Sequence, residues 1–207
     1  MLKAYYQISI ISRKKITKNR KKISKSFTSN FVKALYSMLF GGTSTYTTFY
    51  DYAGTGRYTY WGYHTTGVLQ LSINSCHGDI RYYSNNISVV NPAGGDWGIM
   101  LGTGTDAVIP TDDNMVTPIT HGTSSGQMQY LAGFFSPDVT ISSSNASFTI
   151  ERLFLNSSGG NVTVNEIGGY VNMSSIICCI LRDLVSPAVV VANGEYLKVA
   201  YTIQVTC

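Results

Sequence analysis

Apolar and polar positions alternate most cleanly at the end of the chain. In Glu195–Cys207, Leu197, Val199, Tyr201, Ile203 and Val205 alternate with Lys198, Ala200, Thr202, Gln204 and Thr206, the pattern of a strand with one buried face. Asn193-Gly194 before it is a hairpin turn dipeptide. The same reading predicts strands over 67–74, 80–90, 97–102, 127–135, 147–155, 161–170 and 175–181, the last apolar on both faces as a central strand is. One segment has a different period. In 26–40, Phe27, Phe31, Leu35, Met38 and Leu39 recur at spacings of three and four, which predicts a short amphipathic helix ended by Gly41-Gly42. Residues 41–63 are rich in Thr, Tyr and Gly. They predict a hairpin with a tight turn at 53–57, and Tyr46, Tyr50, Tyr52, Tyr58, Tyr60 and Trp61 offer a half-polar aromatic surface for assembly or for a sugar.

Charge divides the chain in two. The first fifty residues carry ten Lys/Arg and no Asp/Glu; residues 51–207 carry five Lys/Arg and eleven Asp/Glu, a net of −6, which together give the overall +4. Eight positive charges fall between Arg13 and Lys25: Arg13, Lys14, Lys15, Lys18, Arg20, Lys21, Lys22 and Lys25. Like charges repel, and with few apolar groups between them the segment is expected to be extended or disordered when alone. The resulting organisation is a basic arm over 1–25, a helix and Gly linker over 26–42, and a body over 43–207, long enough for one domain with a real core. The arm would contact a polyanion or an acidic groove on a partner protein. Without interleaved aromatic side chains it lacks the stacking platforms of single-strand recognition.

Composition supports an all-β body. Charged residues make up only 13% of the chain, and there are fifteen Tyr, twenty Gly and five Pro. No catalytic or metal constellation emerges. His64, His77 and His121 are far apart and lack ligand spacing, and no CxxC pair exists among Cys76, Cys178, Cys179 and Cys207. Gly102–Asp113 is Gly-rich but has no following Lys and opens no helix, so it does not read as a phosphate loop. No cofactor is implied, and the chain does not read as an enzyme. No stretch is long enough to span a membrane as a helix, and the N-terminus does not read as a signal peptide, so synthesis in a cytoplasm is expected.

Three stretches carry a resemblance. WGIMLGTGTDAVIPTDDNMVTPITHGTSSGQMQY (97–130), SFTIERLFLNSSGGNVTVNEIGGYV (147–171) and SIICCILRDLVSPAVVVANGEYLKVAYTIQV (175–205) resemble runs in small structural proteins of tailed bacteriophages. Asn165, Glu166, Ile167 and Gly168 match best, while Gly169 departs from the Leu usual there. The resemblance implies a virion building block that assembles with copies of itself and with other virion proteins, with packaged DNA as a further contact of the arm. Its motifs are structural and carry over no catalytic residue. Asn165 or Glu166 is expected to satisfy backbone donors of a neighbouring loop, since unpaired buried amides are costly. Pattern and resemblance together predict a two-sheet sandwich or jelly roll with a basic arm and one short helix. A receptor- or glycan-binding module and a nucleic-acid-binding protein remain the competing readings.

Overall fold

The computed structural model describes residues 1–12, 15–24, 27–33, 47–51, 53–59, 89–90, 98–135, 139–173 and 176–206. The strands are Leu2–Ser12 (β1), Lys15–Ser24 (β2), Thr47–Tyr50 (β3), Gly56–Thr59 (β4), Val89–Val90 (β5), Gly98–Gly102 (β6), Gln129–Phe135 (β7), Thr140–Ser142 (β8), Asn145–Leu155 (β9), Val162–Met173 (β10), Ile176–Val191 (β11) and Tyr196–Thr206 (β12). A short helix covers 29–33. The larger sheet runs β2-β1-β12-β9-β7-β5, with β8 beside β9; the smaller runs β11-β10-β6; β3 and β4 form a separate hairpin. All pairings between these strands are antiparallel.

The two sheets share one core, which makes the arrangement sandwich-like. Ala4, Tyr6, Ile8 and Ile10 from β1, Phe154 from β9, and Leu197, Val199 and Tyr201 from β12 meet Ile99 and Leu101 from β6, Val162, Val164 and Ile167 from β10, and Leu181, Val189 and Val191 from β11. The alternation of β12 places Leu197, Val199, Tyr201 and Ile203 inward, as its pattern predicts. Within 41–63, β3 and β4 pair as a hairpin, but its turn runs from Asp51 to Thr55 and not over 53–57, because Gly56 and Arg57 already pair with Tyr50 and Phe49. At its tip the Asp51 carboxylate accepts the amides of Ala53 and Thr55 at 3.0 and 2.9 Å. The predicted strand at 67–74 lies outside the described residues, as does all of the one at 80–90 except Val89 and Val90.

The largest departure from expectation is the arm. Residues 1–24 are not a free leash: β1 lies inside the larger sheet, between β12 and β2, and β2 forms its edge. The reason is in β1. Its even positions, Ala4 through Ile10, are at most 3% exposed, and ten residue pairs join it to β12. β2 has no such apolar face. It becomes a strand because β1 supplies a ladder of partners, from Ala4↔Ser24 to Ser12↔Lys15. Tertiary pairing here overrides a weak local preference.

β11 also differs. It continues through Ser186-Pro187 instead of ending near Leu181. Between Val164 and Glu166, two steps along β10 match five along β11, from Leu184 to Val189, so β11 bulges there. The exposed Ser186 and Pro187 lie on that bulge. Among the described residues no helix is long and apolar enough to cross a membrane.

Candidate functional site

The charged residues of the N-terminal segment sit on the two faces of β2. Residues paired directly across an antiparallel ladder share a face. Opposite the inward-pointing Ile10, Ile8, Tyr6 and Ala4 stand Lys18, Arg20, Lys22 and Ser24. These side chains line the open side of the sandwich, where β2 faces the bulge of β11. Arg20 Nη1 donates to the Pro187 carbonyl and Lys22 Nζ to the Ser186 carbonyl. A cleft of about 230 Å³ opens beside them, lined by Ile8, Ile10, Lys18, Asn19, Arg20 and Val189. On the opposite face Lys21 lies over the Tyr5 ring, 5.1 Å from its centre, and Asn19 accepts from Gln7 at 2.9 Å and Ser9 at 3.2 Å. Lys15, Lys18, Lys21 and Lys22 are exposed and Arg20 is half-buried. Arg13, Lys14 and Lys25 lie outside the described residues.

The residues leading into the helix dock on the chain's own body, and Phe27, expected within the helix, lies in an extended bridge just before it. Phe27 bridges to Leu181, the Thr28 amide donates to the Ile180 carbonyl at 3.1 Å, and Thr28 Oγ1 donates to the Cys179 carbonyl at 2.7 Å. Phe27 and Phe31 stack with ring centres 4.2 Å apart. Leu35, Met38 and Leu39 lie outside the described residues, as do Tyr46, Tyr52, Tyr60 and Trp61. Tyr50 ends β3 and Tyr58 lies in β4.

Glu166 is the hub of the smaller sheet. It is 0% exposed. Its Oε1 accepts the amides of Gly104 at 3.1 Å and Thr117 at 2.9 Å, and its Oε2 accepts the Val116 amide at 3.3 Å and Arg182 Nε at 3.0 Å. Asn165 donates to the Thr103 carbonyl at 2.8 Å. Arg182, itself 1% exposed, reaches on to Asp112 Oδ2 at 2.7 Å and to the carbonyls of Asp106 at 3.0 Å and Ala107 at 3.4 Å. Burial pulls the Arg182 guanidinium down, but hydrogen bonds to Asp112 and Glu166 more than offset this and hold its pKa above the ordinary value. One carboxylate and one guanidinium thus pin the whole 103–118 loop.

This packing explains the glycines of the GTGT run. A Cβ on Gly104 would lie 2.4 Å from Glu166 Oε1 and 2.6 Å from Val116 Cβ; one on Gly102 would lie 2.6 Å from Glu166 Cγ. Gly104→Ala is therefore expected to lower stability by about 1–3 kcal/mol, the usual range for overpacking. Gly160→Ala, where an added methyl meets nothing within 4 Å, should stay within ~0.5 kcal/mol of the unaltered protein. Urea unfolding of both variants checks this; equal stabilities would refute the close-approach account.

Two further buried polar groups tie the sheets. Asp183 on β11 accepts from Ser24 Oγ at 2.7 Å and Tyr201 hydroxyl at 3.1 Å, linking the smaller sheet to β2 and β12. Burial, reinforced by Asp183, raises the pKa of Tyr201 well above the ordinary phenol and also raises that of Tyr6. Arg152 on β9 points inward in phase with Ile150 and Phe154. It donates to the carbonyls of Leu131 at 3.0 Å and Ile99 at 3.2 Å and lies over the Tyr130 ring at 4.9 Å. Burial lowers its pKa to about 10, partly opposed by Tyr130. Sequence reasoning missed both arginines as core residues. A signal existed: each is a lone cation inside an apolar run, FTIERLFL and CCILRDLV.

Several candidate chemistries resolve into structural roles. His121 Nδ1 accepts the Tyr130 amide at 3.0 Å. Asp112 is held by Arg182 and by the Ile109 amide. Glu151 pairs with Lys198 at 2.6 Å on the larger sheet, whereas Glu166 is buried in the smaller one, so the two do not face one another across a groove. Cys178 and Cys179 are fully buried, and burial pushes the Cys179 thiol up to about 12, far from a reactive thiolate. Among the described residues no three His, Cys, Asp or Glu side chains gather where a metal ion could be held. Asn156, in an Asn-Ser-Ser sequon, is 0% exposed; its amide donates to the Gly160 and Val191 carbonyls, each at 2.8 Å, so in the folded chain it is not a glycan acceptor.

What the described surface offers is therefore one strongly cationic strand at a sheet edge, carried on a rigid sandwich whose buried charges are engaged in holding loops. No protein-family model matches the chain, and comparisons with curated proteins and with solved structures find no match.

Proposed function

We propose that the chain is a structural building block of a tailed-phage virion, a sandwich or jelly-roll subunit that works by assembling with copies of itself and with other virion proteins. One observation carries this reading. The sequence runs that resemble phage structural proteins are far apart in the chain, yet they meet in one physical unit. Glu166 of the VNEIG run holds the amides of Gly104 and Thr117 in the GTGT run, and Arg182 of the third run holds Glu166. The low charge of the chain, 13%, fits a protein whose polar surface of Ser, Thr, Asn and Tyr packs against neighbours.

The role proposed for the N-terminal segment changes with the fold. Because β1 and β2 belong to the sheet, Lys15, Lys18, Arg20, Lys21 and Lys22 serve as a fixed strip on the body and not as a flexible leash. Mass spectrometry of gradient-purified particles from the phage encoding this chain tests the proposal. The protein should be present at a constant ratio to the major shell protein. Its absence from particles made by cells that express it would end this reading.

A further inference from the structure

Among the described residues β2 pairs only with β1, and apart from the half-buried Arg20 and buried Ser24 all its residues are exposed. An edge strand presents a row of backbone N–H and C=O groups that another strand can join. This one carries five cations, Lys15, Lys18, Arg20, Lys21 and Lys22, and no anion. Charge on an edge is a guard against pairing with itself: a second β2 would bring five more positive charges alongside. The same guard is selective, because a strand bearing carboxylates meets attraction where a copy meets repulsion.

We propose that the edge of β2 takes an acidic, extended segment of a partner protein as an added strand. The geometry favours a strand over a nucleic acid. Lys18, Arg20 and Lys22 stand on the inner face of the sheet and Lys21 on the outer. Arg20 and Lys22 already reach the β11 bulge, and Lys21 lies on Tyr5. A phosphate backbone on the outer face would meet Lys21, and one on the inner face would compete with the Ser186 and Pro187 carbonyls for Arg20 and Lys22. An added strand lies in the plane of the sheet, so its alternating side chains reach both faces at once while its backbone completes the ladder. The cleft beside Lys18 and Arg20, floored by Ile8, Ile10 and Val189, offers room for one inward side chain of such a segment. This inference does not depend on the virion reading.

The test uses the full chain and a fluorescent peptide as long as β2 that alternates Thr and Glu, read by anisotropy at near-physiological salt. Saturable binding is expected. Lys18→Glu, Arg20→Glu and Lys22→Glu combined should weaken it by at least about tenfold, the sum of several partly exposed charge pairs. Two further peptides carry N-methyl groups on every second residue, in opposite phases, with the charge unchanged. One phase should lose binding and the other keep it, because only alternate amides of an added strand face β2. Since these peptides leave the protein unaltered, this comparison stands even if the triple variant fails to fold. Equal binding by both phases would overturn the proposal, as would tight binding of a duplex DNA with no binding of the peptide.

Discussion

Glu166→Ala is expected to lower unfolding stability by about 3–5 kcal/mol, the range seen when one partner of a buried ion pair is removed. Three effects add in the same direction. Arg182, 1% exposed, loses the carboxylate at its Nε and retains only Asp112 as a charged partner. The amides of Gly104, Val116 and Thr117 lose their acceptor. A space opens beneath Gly102 and Gly104, whose lack of side chains is fitted to the glutamate. Native domains are stable by only about 5–15 kcal/mol, so a loss of this size brings the protein close to unfolding at moderate temperature. Glu166→Gln keeps the volume and one acceptor oxygen and should fall between the two. Chemical denaturation followed by tyrosine fluorescence and far-UV circular dichroism decides the matter. A loss below about 1 kcal/mol for Glu166→Ala, no more than an ordinary surface hydrogen bond, would show that the 103–118 loop does not depend on this hub.

Deleting residues 1–25 should abolish folding altogether. Were the segment a detached arm, its removal would leave the body intact and only weaken a contact. Its actual position predicts the opposite. β1 contributes Tyr6, Ile8 and Ile10 to the shared core, each at most 3% exposed. Burying side chains of this size stabilises by about 1.5–3 kcal/mol each, so their sum approaches the stability of the whole domain. The deletion also strips one side of β12 of its partner, turning an interior strand into a long apolar edge of the kind that aggregates. The truncated chain should be insoluble, or soluble without a cooperative transition. A soluble truncation with an unchanged melting curve would mean that β1 is dispensable. The triple charge reversal in β2 is the appropriate probe of the cations, because it leaves the β1 core residues untouched.

The legible parts of the fold were those where one face of a strand is buried and the other wet. β12 and β9 are of this kind, and their predicted centres agree with the structure to within a few residues at the ends; β10 alternates over Val162–Asn165 but is buried on both faces from Glu166 to Tyr170. β1 carries the same alternation, with Ala4, Tyr6, Ile8 and Ile10 in phase, but the dense charge that follows it suggested a tail. β2 has no pattern of its own to read, since its conformation is imposed by a neighbour in the sheet. The full extent of β11 was hidden by Ser186-Pro187, which reads as a break and is accommodated by a bulge. At the hub, the reading that Asn165 or Glu166 satisfies backbone donors of a loop holds for Glu166, whereas Asn165 donates to the Thr103 carbonyl instead. That the loop is 103–118, and that Arg182 completes it, depends on contacts spanning 49 to 62 residues from Glu166 and 70 to 76 from Arg182, which a linear reading does not contain. Arg152 was obscure for a related reason: an inward cation looks like an error in the alternation until the carbonyls of Ile99 and Leu131 are placed beside it.

The lodging of β1 against β12 has a consequence during translation. β12 follows β1 by most of the described chain, so at cellular synthesis speeds this partner arrives about 10–40 s after β1. Throughout this delay Tyr6, Ile8 and Ile10 lack their β12 neighbours, and closing the sheet must wait for a pairing between strands far apart in sequence. The nascent polypeptide is thus a natural client for chaperones that hold apolar segments. The neighbouring run of lysines and arginines helps keep it dissolved until β12 emerges.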